Sequence, residues 1–272
     1  MEDIFNIAGK SIVITGGAGV LGREMARQFV RRGARIGIVD CDVMRANEAC
    51  QEIAAEGNLA LAVPADVRDK NKLQEAYSHA VETLGQVDVL INAAGGNKQE
   101  ATCLPPRTFF DLPEEALREV FDLNCLGTVW ASQVFGRHMA KRGEGAIINI
   151  ASMNALRPLT NIAAYSAAKA AVVNFTQWLA TYMAQRHSPN IRVNAVAPGF
   201  FLTKQNRFLL MDEKTDQLTP RGKAIIDHTP MGRFGEPVDL IGTMLWLISD
   251  ASRFITGIVV PVDGGFSAYS GV

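Results

Sequence analysis

Tyr165 and Lys169 close the run Tyr165-Ser166-Ala167-Ala168-Lys169, inside a helical pattern over Ala163–Gln185. Side chains four apart share a helix face, so the phenol and the ammonium project together. A neighbouring ammonium favours the phenolate and predicts a Tyr165 pKa below its usual value of about 10. A phenol tuned in that way exchanges a proton with an alcohol or a carbonyl. Ser152 follows a strand pattern at Ala146–Ile150 and offers a hydroxyl to hold the reacting oxygen. Asn124 lies mid-helix among Phe121, Leu123 and Leu126, where an amide is out of place unless it has a task. Each residue also has a plain alternative. Tyr-x-x-x-Lys arises by chance in many helices, Ser152 reads equally as a turn or capping residue, and Asn124 as a satisfied core amide.

A second pattern lies upstream. The first strand pattern, Lys10–Thr15, ends in Thr15-Gly16-Gly17-Ala18-Gly19-Val20-Leu21-Gly22, and a helix follows over Val20–Arg32. Gly17, Gly19 and Gly22 fit G-x-G-x-x-G between a strand and a helix, the fingerprint of a dinucleotide turn. Glycine lets the backbone approach a pyrophosphate, and the helix N-terminus presents N–H groups and a positive dipole end to it. Asp40 closes the second strand, 18 residues after Gly22, where an acid bonds the adenosine ribose hydroxyls. Its charge opposes a 2′-phosphate, and no Lys or Arg lies in Gly16–Leu21 to offset it, so NAD is expected over NADP. Asp40 as a helix cap is the alternative, and Arg45 is within plausible reach of a phosphate. Asp66-Val67 and Asn92-Ala93-Ala94-Gly95 follow two further strands and leave room for a flat ring.

The elements that must position these residues alternate. Strand patterns at Arg35–Asp40, Leu59–Val63, Val87–Ile91, Ala146–Ile150, Ile191–Val196 and Ile258–Val262 are separated by helical ones. The helical patterns are Val43–Glu56, Lys70–Leu84, Pro113–Lys141, Ala163–Gln185 and Pro237–Ser249. Such alternation predicts an α/β fold: one domain over residues 1–272, a Rossmann-like doubly wound parallel sheet with helices on both faces. The near-continuous Val/Ile strands suit a sheet covered on both sides. Ligands of such sheets bind at the carboxyl ends of the strands, where all these motifs fall.

Composition narrows the classes. Lys plus Arg number 27 against 28 Asp plus Glu, which gives no footprint for nucleic acid or an anionic membrane. No apolar run approaches the ~20 residues of a membrane span. The beginning of the chain lacks the basic and apolar stretches of a signal peptide, so a cytoplasmic location is expected. Cys41, Cys50, Cys103 and Cys125 form no CxxC pair and have no His at metal-ligand spacing, so they read as reduced thiols and no metal is expected.

From Lys10 to Gly265 the chain resembles the short-chain dehydrogenase/reductase family. The resemblance rests on Thr15-Gly16 with Gly22, Asp66, Asn92-Ala93-Ala94-Gly95, Asn124, Ser152, Tyr165 with Lys169, Pro198-Gly199 with Thr203, and Val262-Asp263-Gly264-Gly265. It implies roles: Tyr165 as acid/base, Lys169 on the nicotinamide ribose, Ser152 on the reacting oxygen, and Asn124 on a relay water. It implies that Pro198, Gly199 and Thr203 flank the nicotinamide, and that the protein is a homotetramer. One departure stands in the glycine turn. The family's middle glycine falls at Val20, and Gly19 is expected to take over its close approach.

Three segments are expected to wall a substrate pocket: Gly96-Asn97-Lys98 through Phe110, Met153–Arg157, and a long connection over about 200–237 that reads as a lid. They are rich in amides and cations, unlike a steroid or acyl pocket. Lys98, Arg157, Lys204 and Arg207 are candidates for a substrate carboxylate, with Asn97 and Asn154 beside them. The plain alternative for any one cation is a solvated surface residue. These segments also resemble the sugar-acid branch of the family, the D-mannonate oxidoreductases or fructuronate reductases. Gluconate dehydrogenases and 3-oxoacyl carrier-protein reductases share the catalytic set. A catalytically silent NAD-binding regulator would keep the fold and is disfavoured by the intact Asn124, Ser152, Tyr165 and Lys169.

Overall fold

The computed structural model describes residues 3–57, 59–202, 207–212 and 215–271. Seven parallel strands form one sheet in the order β3-β2-β1-β4-β5-β6-β7. They are β1 (Ser11–Thr15), β2 (Arg35–Asp40), β3 (Ala60–Pro64), β4 (Val89–Asn92), β5 (Gly145–Ile150), β6 (Ile191–Pro198) and β7 (Val259–Val262). The order reverses between β1 and β4, which opens a crevice beyond their carboxyl ends. Alternate strand residues enter two different cores, as the period of two requires. Ile12, Ile14, Ile36 and Ile38 pack with α1 (Val20–Val30), α2 (Val43–Ala54) and α9 (Ile241–Ile248). Val13, Val39, Leu90 and Ile147 pack with α3 (Lys70–Leu84), α5 (Gly127–Arg142) and α6 (Ala163–Arg186). Fully buried side chains of this size contribute roughly 1.5–3 kcal/mol each.

Local chemistry sets the helix ends. Asp42 caps α2 by accepting from Arg45 N–H, and Asp69 caps α3 by accepting from Asn71 and Lys72 N–H. Asp40 is therefore not the cap of α2. The N-cap of α1 is Gly19, with no side-chain cap and no acid in the first turn.

The helix expected over Pro113–Lys141 is divided. α4 (Glu114–Phe121) and α5 are joined by a π-helical turn at Asp122–Leu126. The Asn124 amide donates to Val120 O at 2.7 Å, and Thr128 Oγ1 donates to Asn124 O at 2.9 Å. Side chains thus supply partners for carbonyls around the widened turn. The final helical pattern, Pro237–Ser249, likewise opens as a 3₁₀ turn over Pro237–Leu240 before α9.

The connection after β6 is not structureless. It holds α7 (Arg207–Leu210), a bridge between Met211 and Leu218, and α8 (Pro220–Asp227), capped by Thr219 with Pro220 in its first turn. Beneath it lies a separate apolar cluster of Met153, Leu210, Ile225 and Phe266, with Phe200 and Phe234 packed against it. Among the described residues no helix is long and apolar enough to cross a membrane.

Candidate active site

The strand ends are sewn together before any ligand enters. Thr15 Oγ1 accepts from Ala93 and Ala94 N–H, both at 3.2 Å. Gly16 turns away at φ +64°, and a Cβ there would lie 2.7 Å from Ala94 Cα. A Cβ on Gly22 would lie 2.7 Å from both Gly16 O and Gly17 Cα, so helix and turn meet backbone to backbone. The cleft above them has a volume of about 1000 Å³. Gly16, Gly19, Val20 and Leu21 border it, as do Asp40, Asp66 and Val67. Ala93, Ala94 and Gly95 form another side, and Pro198 and Gly199 another. Gly17 instead faces the sheet, close to Ile14 O and the Ile38 side chain.

Asp40 Oδ2 accepts from Ala18 N–H at 3.2 Å, and Arg45 donates to Ala18 O at 3.2 Å. The carboxylate thus sits against the glycine turn at the cleft rim. Asp66 is held by Arg68 through three side-chain contacts of 2.7–3.1 Å, and those bonds keep its carboxyl below the usual range. Asn92 does not border the cleft. It is buried, and its amide donates to Ser132 Oγ and Asn149 Oδ1. Asn149 in turn donates to Thr176 of α6, so this network ties β4 and β5 to the helix carrying Tyr165.

Tyr165, Lys169 and Ser152 border the same cleft. Lys169 Nζ lies 5.7 Å from the Tyr165 ring centre and donates to Ile150 O at 2.7 Å. Burial brings the Lys169 pKa down to about 8. The expected depression of Tyr165 is not what the surroundings produce. Burial pushes its phenol up, and hydrogen bonding to Ser152 pulls it partly back. The reason is desolvation: the half-buried phenolate loses water, while the Lys169 ammonium is turned to a carbonyl. Asn124 comes to the same place through the π turn. Its Oδ1 accepts from Gly96 N–H at 3.1 Å and its Nδ2 donates to Gly96 O at 2.7 Å. A Cβ on Gly95 would lie 2.6 Å from Asn124 Oδ1 and 3.1 Å from Lys169 Nζ, so this glycine is where the two approach.

The expected substrate residues divide. Asn154 is buried and bonded to Ser152 and Leu159. Asn97 bonds within its own loop, to Lys98 O and Thr102. Lys98 is ion-paired with Glu119, and Arg207 with Asp216, so neither charge stands free as the sequence suggested. The partners are 21 and 9 residues away, beyond what local patterning signals. Arg157 donates only its Nε, to Ser267 O at 3.2 Å, and forms no ion pair among the described residues. Thr203 and Lys204 lie outside the described residues. The joining task of the Thr15 hydroxyl and the Asn149–Thr176 link were not read from sequence. Both depend on contacts between strands that only the sheet order brings together.

A turn of glycines against an uncapped helix, an acid at the end of β2, and a proton-transfer pair facing them suit a nicotinamide dinucleotide. A family profile of short-chain dehydrogenases, described as enoyl-(acyl carrier protein) reductase, matches residues 16–267. The chain belongs to the short-chain dehydrogenase/reductase family, and it is an oxidoreductase acting on alcohol groups with a nicotinamide cofactor. It is 47% identical to the uncharacterized oxidoreductase UxuB of Bacillus subtilis, over 98% of each chain. It is 36% identical to 5-keto-D-gluconate 5-reductase of Escherichia coli, over 97% of this chain and 98% of that one. A crystal structure of a proposed D-mannonate oxidoreductase from Haemophilus influenzae, with bound NAD, superposes with a TM-score of 0.92. The two are 44% identical over 98% of each chain.

Proposed function

We propose that this chain is an NAD-dependent oxidoreductase that interconverts a secondary alcohol and a ketone on a sugar acid, D-mannonate and D-fructuronate in particular. The observation that carries the reaction is that Ser152, Tyr165 and Lys169 border the dinucleotide cleft together. The glycine turn and the Asp40, Gly95 and Pro198 sides of the cleft would hold a nicotinamide dinucleotide, which would supply hydride transfer at the substrate carbon. Tyr165 takes the alcohol proton during oxidation and returns it to the oxygen during reduction. Ser152 holds that oxygen. Lys169 lies one helical turn from Tyr165, beside the position expected for the nicotinamide ribose, and Asn124 with Gly96 lies beyond it.

The sugar-acid assignment draws on the likeness to the D-mannonate and 5-keto-D-gluconate enzymes, and on Arg157. Among the described residues no carboxylate pairs with its two terminal nitrogens, and a guanidinium fork matches a carboxylate. The segment over about 200–237 serves as the lid, and the protein works as a homo-oligomer in the cytoplasm.

The test follows NADH absorbance with D-fructuronate, D-mannonate, D-gluconate, 5-keto-D-gluconate and uncharged ketoses. D-fructuronate reduction is expected to exceed that of neutral ketoses. Arg157→Ala should lower kcat/KM for the acid several-fold to several-hundred-fold, since a charged hydrogen bond contributes ~1.5–3 kcal/mol. Equal turnover of neutral ketoses would remove the sugar-acid reading. For the cofactor, NAD should be preferred to NADP by more than about tenfold, and Asp40→Ala should narrow that gap. Equal efficiency with both in the unaltered protein would show that Asp40 serves to hold the Ala18 and Asp42 backbone and not to select the cofactor.

A further inference from the structure

Ser152 is almost wholly buried, and one neighbour approaches its oxygen twice. The Asn154 backbone N–H donates to Ser152 Oγ at 3.2 Å, and Asn154 Nδ2 donates to the same atom at 3.3 Å. The far end of the amide fixes its orientation. Asn154 Oδ1 accepts from Leu159 N–H at 3.2 Å. A backbone N–H can only donate, so the atom facing it is the carbonyl oxygen and the atom facing Ser152 is the NH₂. Asn154 is 7% exposed, which leaves water little access to compete.

A hydroxyl has two acceptor lone pairs and one proton. Asn154 takes both lone pairs, so the only capacity left to Ser152 is to donate. We infer that Asn154 is a positioning residue that fixes the polarity of the Ser152 hydroxyl, making it a donor to the Tyr165 oxygen in the free protein and to the reacting oxygen once substrate takes that place. The inference rests on the roles of Tyr165 and Ser152 given above. Its chemical sense is direct. A Ser152 free to rotate would accept the Tyr165 proton for part of the time and hold it away from substrate. A Ser152 locked as donor leaves the Tyr165 proton free to move, and stabilises negative charge on whichever oxygen bears it. Asn154 touches neither substrate nor cofactor in this scheme. It acts through Ser152.

Asn154→Asp provides the discriminating variant. It keeps the shape and the acceptor for Leu159 N–H and removes the side-chain donor to Ser152. Asn154→Ala removes the donor without adding charge. The ionisation of Tyr165 is read by ultraviolet difference absorbance of the cofactor-free protein, with Tyr165→Phe identifying its share among the four tyrosines. Lys169, and Cys125 whose field bears on it, are present in every variant, so their influence cancels in the comparison. Both Asn154 variants are expected to titrate Tyr165 about one unit higher, since the phenolate loses a directed donor. With D-fructuronate and NADH, kcat should fall about tenfold while KM for NADH stays unchanged. Adding Asn154→Ala to Ser152→Ala should cost nothing further, because the two act as one unit.

An unshifted Tyr165 in both variants overturns the inference. So does a shift in Asn154→Asp alone, which is a charge effect, or in Asn154→Ala alone, which is loss of the Leu159 brace. Ser152→Ala separates this failure from that of the underlying reading. If Ser152→Ala shifts Tyr165 and the Asn154 variants do not, only the role of Asn154 falls. If Ser152→Ala leaves Tyr165 unmoved as well, the Ser152–Tyr165 pairing falls with it.

Discussion

Lys169 shows how much of a residue's chemistry is written in its spacing and how much in its surroundings. The four-residue interval places it beside Tyr165 in sequence and in structure. Its burial and its bond to Ile150 O come from β5, which no interval on α6 reveals. Its pKa falls from 10.5 to about 8, so the folded protein prefers the neutral amine more than the unfolded chain does. The stability this contributes is complete above 10.5 and is lost as pH falls through about 8. Compared with Lys169→Met, the unaltered protein should therefore gain stability as pH rises from 8 to 10.5. The gain is on the order of 3 kcal/mol. Chemical denaturation of both proteins across that range checks it. Parallel pH profiles would show that Lys169 keeps an ordinary affinity for protons in the folded protein.

At the scale of elements, strand and helix types follow from periodicity, and most boundaries fall within two residues of the sequence reading. The π turn does not, because its cause is tertiary. Gly127 lies against Val67, where a Cβ would come within 2.6 Å of Cγ2, and Asn124 reaches across to Gly96. Asn124 was legible as a misfit on its helix, and the turn that accommodates the misfit was not. The loop after β4 has the matching requirement at Gly95. Gly95→Ala places a methyl group against Asn124 Oδ1 and Lys169 Nζ and should displace both. A shift of about 1 Å in such groups costs about a hundredfold in rate. The expected result is that loss in kcat with the circular dichroism spectrum retained. An alanine variant of near-normal kcat would show that Asn124 and Lys169 act independently of their approach to this backbone.

For the whole molecule, the parallel sheet and its two covered faces follow from the alternation of Val/Ile strands with amphipathic helices. The catalytic set is legible because its members keep simple relations to regular elements: Tyr165 and Lys169 lie one turn apart on α6, Asn124 stands out on its helix, and Ser152 follows β5. The substrate walls are less so. Lys98 and Arg207 read as free cations because their acid partners, Glu119 and Asp216, lie on other turns of the chain. Charge counted along a segment says nothing of neutralisation across space. Among the described candidates Arg157 is the cation whose reading changes least, because its one hydrogen bond among the described residues goes to a carbonyl.

The small apolar cluster of Met153, Leu210, Ile225 and Phe266 shares no member with either core beside the sheet. Substitutions there spend their destabilisation locally, since local opening need not disturb the larger cooperative unit. On the proposed reading this cluster backs the substrate pocket, so its side chains can be exchanged while the glycine turn, the π turn and the Tyr165 helix keep their packing.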